Sequence, residues 1–141
     1  MRIPMKVDYG VRALVDLAQS TADGPVRTAD VARRQHIPEP YLDQVLTTLN
    51  KFGFIRSRRG PRGGHLLARD PHDIALSEVV ATLEGRIAPL DCIADQDDCV
   101  LSGSCTQREI WRGVEDAVQR VLEGTTVWDL AFPRQPVAGP I

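Results

Sequence analysis

Between residues 91 and 105 the chain reads DCIADQDDCVLSGSC and gathers all three of its cysteines, Cys92, Cys99 and Cys105, with six and five residues between them. Four aspartates, Asp91, Asp95, Asp97 and Asp98, share the segment, and neither Lys nor Arg enters it. Soft thiolates held close together in a short polar stretch suit a soft metal centre, zinc or an iron–sulfur cluster. Three of them fall one short of a tetrahedral set, so a fourth ligand has to come from elsewhere in the protein. The ordinary alternative is that each cysteine packs as a small buried hydrophobe. Neighbours of Asp, Gln, Ser and Gly make a poor apolar stripe and weigh against it. An odd cysteine count also argues against a closed disulfide framework. Zinc, a thiol–disulfide pair and an iron–sulfur cluster all stay open at this point.

A second concentration of chemistry is electrostatic. The net charge over 141 residues is only −2, yet residues 33–69 carry Arg33, Arg34, Lys51, Arg56, Arg58, Arg59, Arg62 and Arg69. Only Glu39 and Asp43 oppose these eight, a local excess of six positive charges, and the rest of the chain is correspondingly acidic. Such a patch points to a polyanion such as nucleic acid, although charge alone would also describe a solvated basic surface.

The elements that must position these groups follow from apolar spacing. Residues 6–20 predict a first helix, with Val7, Val11, Leu14, Val15 and Ala18 on one face and Asp8 in the first turn, where a carboxylate favours the helix dipole. Residues 29–35 predict a short second helix with Thr28 as its N-cap, and His36-Ile37-Pro38 is a tight connection. A third helix opens at Pro40, turns Leu42, Val45, Leu46 and Leu49 inward, and stops at Gly53. Two short helices across so brief a turn fit a helix-turn-helix, whose second helix reads the major groove. Tyr41, Gln44, Thr47, Thr48 and Lys51 lie off its apolar stripe and are the candidates for bases or nearby phosphates.

Residues 54–58 and 65–69 predict two strands joined by Arg59-Gly60-Pro61-Arg62-Gly63-Gly64. A basic hairpin straight after a reading helix is the wing of a winged helix-turn-helix. Its glycines allow the backbone near DNA, and Arg58, Arg59 and Arg62 reach phosphates or a narrow minor groove. The same glycines are no nucleotide loop, because the G-x-x-x-x-G-K-S/T pattern is missing and they join strands instead of opening a helix. Residues 78–83 predict a further helix, capped by Ser77 and ended by Gly85.

The longest helical pattern covers residues 106–123. Ile110, Val114, Ala117 and Val121 form one apolar row, with Trp111, Val118 and Leu122 beside it. So wide a stripe exceeds what a lone surface helix needs, and predicts packing both on its own domain and on a second subunit. Residues 125–132 add a short helix capped by Thr126, and the Pro/Gly-rich tail from 133 to 141 is expected to be disordered. The expectation is therefore a mainly helical chain with one small β-hairpin. A winged helix-turn-helix domain (1–85) leads through a cysteine-rich loop (86–105) to a dimerisation helix and short final helix (106–132). No leader-like start and no apolar run near the roughly 20 residues of a membrane span predict a soluble cytoplasmic protein. No nucleophile–base pair or nucleotide fingerprint suggests an enzyme.

This order resembles the Rrf2 family of bacterial winged-helix transcription regulators over residues 1–131. The resemblance is carried by KVDYGVRALVDLA, YLDQVLTTLNKFGFIRSRRGPRGG and the three-cysteine loop leading to Trp111, and the wing RSRRGPRGGHLLARDP is its most specific part. It implies a homodimer on a palindromic DNA operator, and the cysteine loop is similar to that of the family's iron–sulfur members, the IscR-like and NsrR-like branches. Their usual spacing has one residue fewer between the first two cysteines. The IscR-like branch places a histidine three residues after the third cysteine, where this chain has Arg108, which cannot ligate iron. The NsrR-like branch takes its fourth ligand from an aspartate at the start of the first helix of the other subunit, and Asp8 stands there. The resemblance thus implies a 4Fe-4S cluster, favoured over 2Fe-2S, on Cys92, Cys99, Cys105 and Asp8. His36, His65 and His72 are the less favoured fourth ligands.

Overall fold

The computed structural model describes residues 2–20, 24–90 and 104–134. Helix α1 (Met5–Gln19) buries Val7, Ala13, Leu14, Leu17 and Ala18 in the centre of one hydrophobic core. Gly10 lets α1 meet α4 (Leu76–Leu83) closely, since a Cβ there would lie 2.4 Å from Leu83 Cδ1. Helices α2 (Thr28–Gln35) and α3 (Glu39–Lys51) cover α1, with Val31, Leu42, Leu46 and Leu49 closing the core.

The two helices are joined by a turn in which His36 adopts a left-handed φ of 53° and Ile37 is buried. Ile37 N–H donates to Ala32 O at 3.0 Å, sharing that carbonyl with His36 N–H and closing the helix end. The end of α3 behaves as Gly53 predicted: Gly53, at φ +82°, donates to Asn50 O, and Phe54 N–H donates to Leu49 O.

Strands β1 (Ile55–Arg58) and β2 (Gly64–Leu67) form an antiparallel hairpin with Ile55 opposite Leu67 and Arg58 opposite Gly64. They are shorter than the apolar pattern predicts at the outer ends. Arg69 turns away to Glu78 and the Asp73 carbonyl instead of extending the ladder. A 3-10 turn (Pro71–Asp73) leads to α4.

Two predicted caps are corrected. Thr28 is the first residue of α2, not its cap, because the helix already starts on Arg27 O, which accepts from Asp30 and Val31. Ser77 lies inside α4, whose first residue, Leu76, donates its N–H to Thr125 O. The Thr126 cap is present: its hydroxyl accepts from Asp129 N–H while the Asp129 carboxylate accepts from Thr126 N–H, a capping box opening α6 (Val127–Ala131). Val127 and Ala131 carry α6 back onto α1, where Gln19 Nε2 donates to Ala131 O.

Between them lies α5 (Arg108–Glu123), none of whose residues is buried. Leu122 packs against the core, while Ile110 and Val121 are each 67% exposed. One buried polar side chain stands out within the described residues. Asp16, 2% exposed, accepts from Arg34 Nε and Nη2 at 3.0 and 2.7 Å and from Gln35 Nε2 at 3.1 Å. It pins the C-terminal end of α2 to α1, just before the helix-turn-helix turn.

Candidate nucleic-acid interface and metal centre

Helix α3 exposes two stripes. Tyr41 and Gln44 flank a shallow apolar crevice shared with Met5, Lys6, Tyr9 and Pro38, and Lys51 continues this stripe one helical repeat on. On the other side Asp43, Thr47 and Asn50 line a cleft with Ser57, Arg59 and His65, between the reading helix and the wing. The hydroxyls of Thr47 and Thr48 donate to the carbonyls of Asp43 and Gln44, at 2.7 and 3.2 Å, so toward a nucleic acid both oxygens are free to accept. Tyr41, Gln44, Thr47 and Lys51 are exposed and Thr48 is half-buried.

The wing presents Arg58, Arg59 and Arg62, all exposed. Its tip is held from an unexpected side: Arg27, just before α2, donates through Nη2 to Pro61 O at 2.6 Å. A cleft of about 370 Å³ between α2 and the wing is lined by Arg27, Thr28, Arg58, Gly63 and His65 among others. The base of the wing is tied down as well. Val26 and His65 exchange both backbone hydrogen bonds, at 2.9 and 2.7 Å, so β2 has a neighbour on each side at this point. Gly64 is required there, because a Cβ would meet the Val26 backbone at 2.6 Å and its φ is +152°. Arg27 and His65 escape a reading by charge runs and apolar spacing. Arg27 stands six residues upstream of the basic segment, and His65 looks like any strand residue.

Only some of the predicted metal ligands lie among the described residues. Cys92 and Cys99 lie outside the described residues. Cys105 is a free, half-exposed cysteine shortly before α5. Asp8 is exposed on α1, where Arg12 Nε and Nη2 donate to its two oxygens at 3.1 and 2.5 Å. That guanidinium holds the Asp8 carboxyl below the usual carboxylate range, so it stands ready as an anion. Arg12 also donates to Gln35 O at 2.7 Å, at the end of α2. A groove of about 420 Å³ beside Asp8 is otherwise apolar, lined by Ile3, Met5, Val7, Val11, Leu76, Val80 and Leu122. Among the described residues no three His, Cys, Asp or Glu side chains gather as a metal site. His36, His65 and His72 are spread over the helix-turn-helix turn, the wing and the 3-10 turn, and His72 stacks on Trp128 with ring centroids 4.0 Å apart.

Known proteins agree with this geometry. Residues 3–133 match the Rrf2 family, described as an iron-dependent transcriptional regulator. The chain is 33% identical over 131 residues to the HTH-type transcriptional regulator CymR of Bacillus subtilis, covering 93% of this chain and 90% of that protein. It is 34% identical over 130 residues to the HTH-type transcriptional regulator IscR of Cronobacter sakazakii, covering 92% and 80%. The solved structure of CymR, the global cysteine regulator of B. subtilis, superposes with a TM-score of 0.77 at 32% identity, covering 93% of this chain and 96% of that one. That of T. potens IscR gives 0.76 at 32% identity, covering 99% and 94%. With a helix-turn-helix, a basic wing and similarity running over nearly its whole length, the chain belongs to the Rrf2 family of winged-helix transcriptional regulators.

Proposed function

We propose that this regulator, which is no enzyme, acts in the cytoplasm as a homodimeric repressor whose affinity for a palindromic operator is set by an iron–sulfur cluster, 4Fe-4S in preference to 2Fe-2S. Residues 1–85 read DNA, with α6 packed back onto α1; residues 86–105 hold the cluster; and α5 joins the subunits. The observation that carries this reading is the exposed row on α5. Ile110 and Val121 are each 67% exposed among the described residues, on the helix that begins three residues after Cys105. Burying each against a second copy contributes about 1.5–3 kcal/mol, more than an exposed helix forgoes without a reason. Two such subunits present two reading helices to two half-sites.

The donor chemistry suits the cluster. Cys92, Cys99 and Cys105 would supply thiolates, and Asp8 of the partner subunit would supply a carboxylate that Arg12 holds anionic. Arg12 engages one lone pair on each Asp8 oxygen, which leaves the carboxylate further lone pairs with which it would reach a metal. A bound cluster would supply iron that reacts with nitric oxide and oxidants. On the protein side, a ligand from α1 of one subunit and thiolates from the other fix the relative orientation of the two readers. A coupling of about 1–3 kcal/mol, or 5–150-fold in affinity, is enough for a transcriptional switch. Tyr41, Gln44, Thr47 and Thr48 meet bases or nearby phosphates, while Lys51, Arg58, Arg59 and Arg62 meet phosphates or the minor groove.

The test is anaerobic purification of wild type, Cys105→Ser and Asp8→Ala, followed by visible absorption, iron and sulfide analysis and native mass. Wild type is expected to carry the mass and colour of a cluster that Cys105→Ser lacks. An intact 4Fe-4S mass in the Asp8→Ala dimer removes that residue from the ligand set, and colourless, iron-free wild type removes the cluster. The similarity to a protein titled a cysteine regulator favours a second reading, in which the same cysteines sense through thiol–disulfide chemistry or zinc. Zinc by mass in a colourless protein, or a disulfide by thiol counting, selects it.

A further inference from the structure

The His65 side chain links α2 to the wing and lines the cleft beside the reading helix. Its Nε2 lies 2.7 Å from Thr28 Oγ1 at the start of α2, and its Nδ1 lies 2.7 Å from Ser57 Oγ on β1. Both of its backbone groups bond to Val26, so toward β1 it forms the non-hydrogen-bonded pair with Ser57, in which facing side chains come closest. The ring is half-buried and forms part of the wall of both clefts: Arg27 and Arg58 on one side, Asp43, Thr47 and Arg59 on the other.

We propose that His65 is a positioning residue for DNA recognition, one that keeps wing and reading helix in register and takes up a proton as phosphates arrive, so that DNA affinity falls as pH rises. The inference rests on the winged-helix reading of the site. Both ring nitrogens face hydroxyls, which rotate to donate or accept. A neutral ring has one N–H to give and one lone pair to receive; a protonated ring gives to both Thr28 and Ser57. The site therefore accommodates either charge state without moving the backbone. In the free protein, burial holds the ring below the usual histidine value and Asp43 only partly opposes this, so it is neutral at pH 7. Arg27, Arg58 and Arg59 also face it and disfavour a further positive charge. Phosphates gripped by those arginines cancel that field and add their own negative charge. Protonation becomes easier on DNA than off it, and by linkage acid strengthens binding between the free and the bound midpoints.

The test measures affinity at constant ionic strength from pH 6 to 8, with a duplex that the wild-type protein itself selects from a random library. Visible absorption and dimer mass are followed alongside to confirm an unchanged protein. Wild type is expected to weaken as pH rises, by up to about tenfold for each unit by which DNA raises the His65 midpoint. His65→Gln, which keeps one donor and one acceptor, is expected to bind with a flat profile, while His36→Asn and His72→Asn keep the wild-type slope. A flat wild-type profile, or a slope surviving in His65→Gln, overturns the proposal. Should His65→Gln not bind, the His65 ring signals in an NMR titration decide: a higher midpoint on DNA supports it, and an unchanged one overturns it. Wild type that selects no duplex overturns the winged-helix reading itself, an outcome distinct from binding without a pH slope.

Discussion

The wing and α5 carry the two halves of the proposed switch, and they are built on opposite plans. Around the wing, each guide is held by the chain itself: Arg27 grips Pro61 O, His65 bridges Thr28 and Ser57, and Val26 closes the sheet edge at Gly64. Along α5 no residue is buried, and its Ile110–Val121 row faces outward. A surface that must fit a groove of fixed width gains from being set in advance, since ordering it on binding would cost affinity. A surface that reports an external state gains from depending on something outside the chain. On our proposal each subunit sets its own reader in advance, while sensing is finished only by a second subunit.

The sharpest way to break this contrast is to charge the outer row. Ile110→Asp with Val121→Asp is expected to give a folded monomer by analytical ultracentrifugation, with helical signal nearly unchanged, because both side chains face away from their own core, and with Tm lowered by the lost subunit contact. DNA affinity is expected to drop by about two orders of magnitude or more as the second half-site is lost, in line with the several kcal/mol of burial removed. A dimer surviving both charges would sink the assignment of this face.

The opposite experiment leaves α5 intact and unseats the wing. Gly64→Ala drives a methyl into the Val26 backbone, and overpacking of this kind costs about 1–3 kcal/mol. We expect dimer mass and bound metal to be kept while DNA binding weakens for all sequences alike, as read by anisotropy. Asp16→Ala comes next. It leaves the Arg34 and Gln35 groups without their buried acceptor, and because Arg34 is partly exposed to water the expected loss is about 1–3 kcal/mol by urea unfolding, below the cost of a fully buried pair. Thr126→Ala, which opens the capping box, is expected to cost about 1 kcal/mol and to loosen α6 from α1.

The smallest effect is a pH dependence. Arg12 depresses the Asp8 carboxyl, so their pairing adds stability that is present above the unfolded carboxylate value, near 3.9, and is lost as pH falls through the lower folded value. Asp8→Asn is therefore expected to flatten the acid limb slightly below about pH 4 and to leave stability at neutral pH within the modest range of exposed ion pairs. A large loss at pH 7 would mean that Asp8 does more for the free chain than its exposure implies.

Short-range signals carried most of the architecture. Apolar spacing located α1, α3 and α5, Gly53 marked the end of α3, Thr126 marked the cap of α6, and the Gly/Pro turn between the strands announced the wing, while the 3-10 turn at Pro71–Asp73 gave no such signal. These are rules about residues within a few positions of one another, and local chemistry decides them. Thr28 and Ser77 misled for the same reason: both are good caps locally, but the helices already start on Arg27 O and Ala75 O.

What the sequence by itself determined is the inventory: a helix-turn-helix, a basic wing, three thiols on an acidic segment and one helix with more apolar face than a single chain needs. Only the tertiary structure decided which of these groups meet. Asp16 finds Arg34 across 18 residues, Arg27 finds Pro61 across 34, and Thr28 finds His65 across 37. No periodicity encodes such pairs, because each depends on where two packed elements bring side chains that are unremarkable where they stand in the chain.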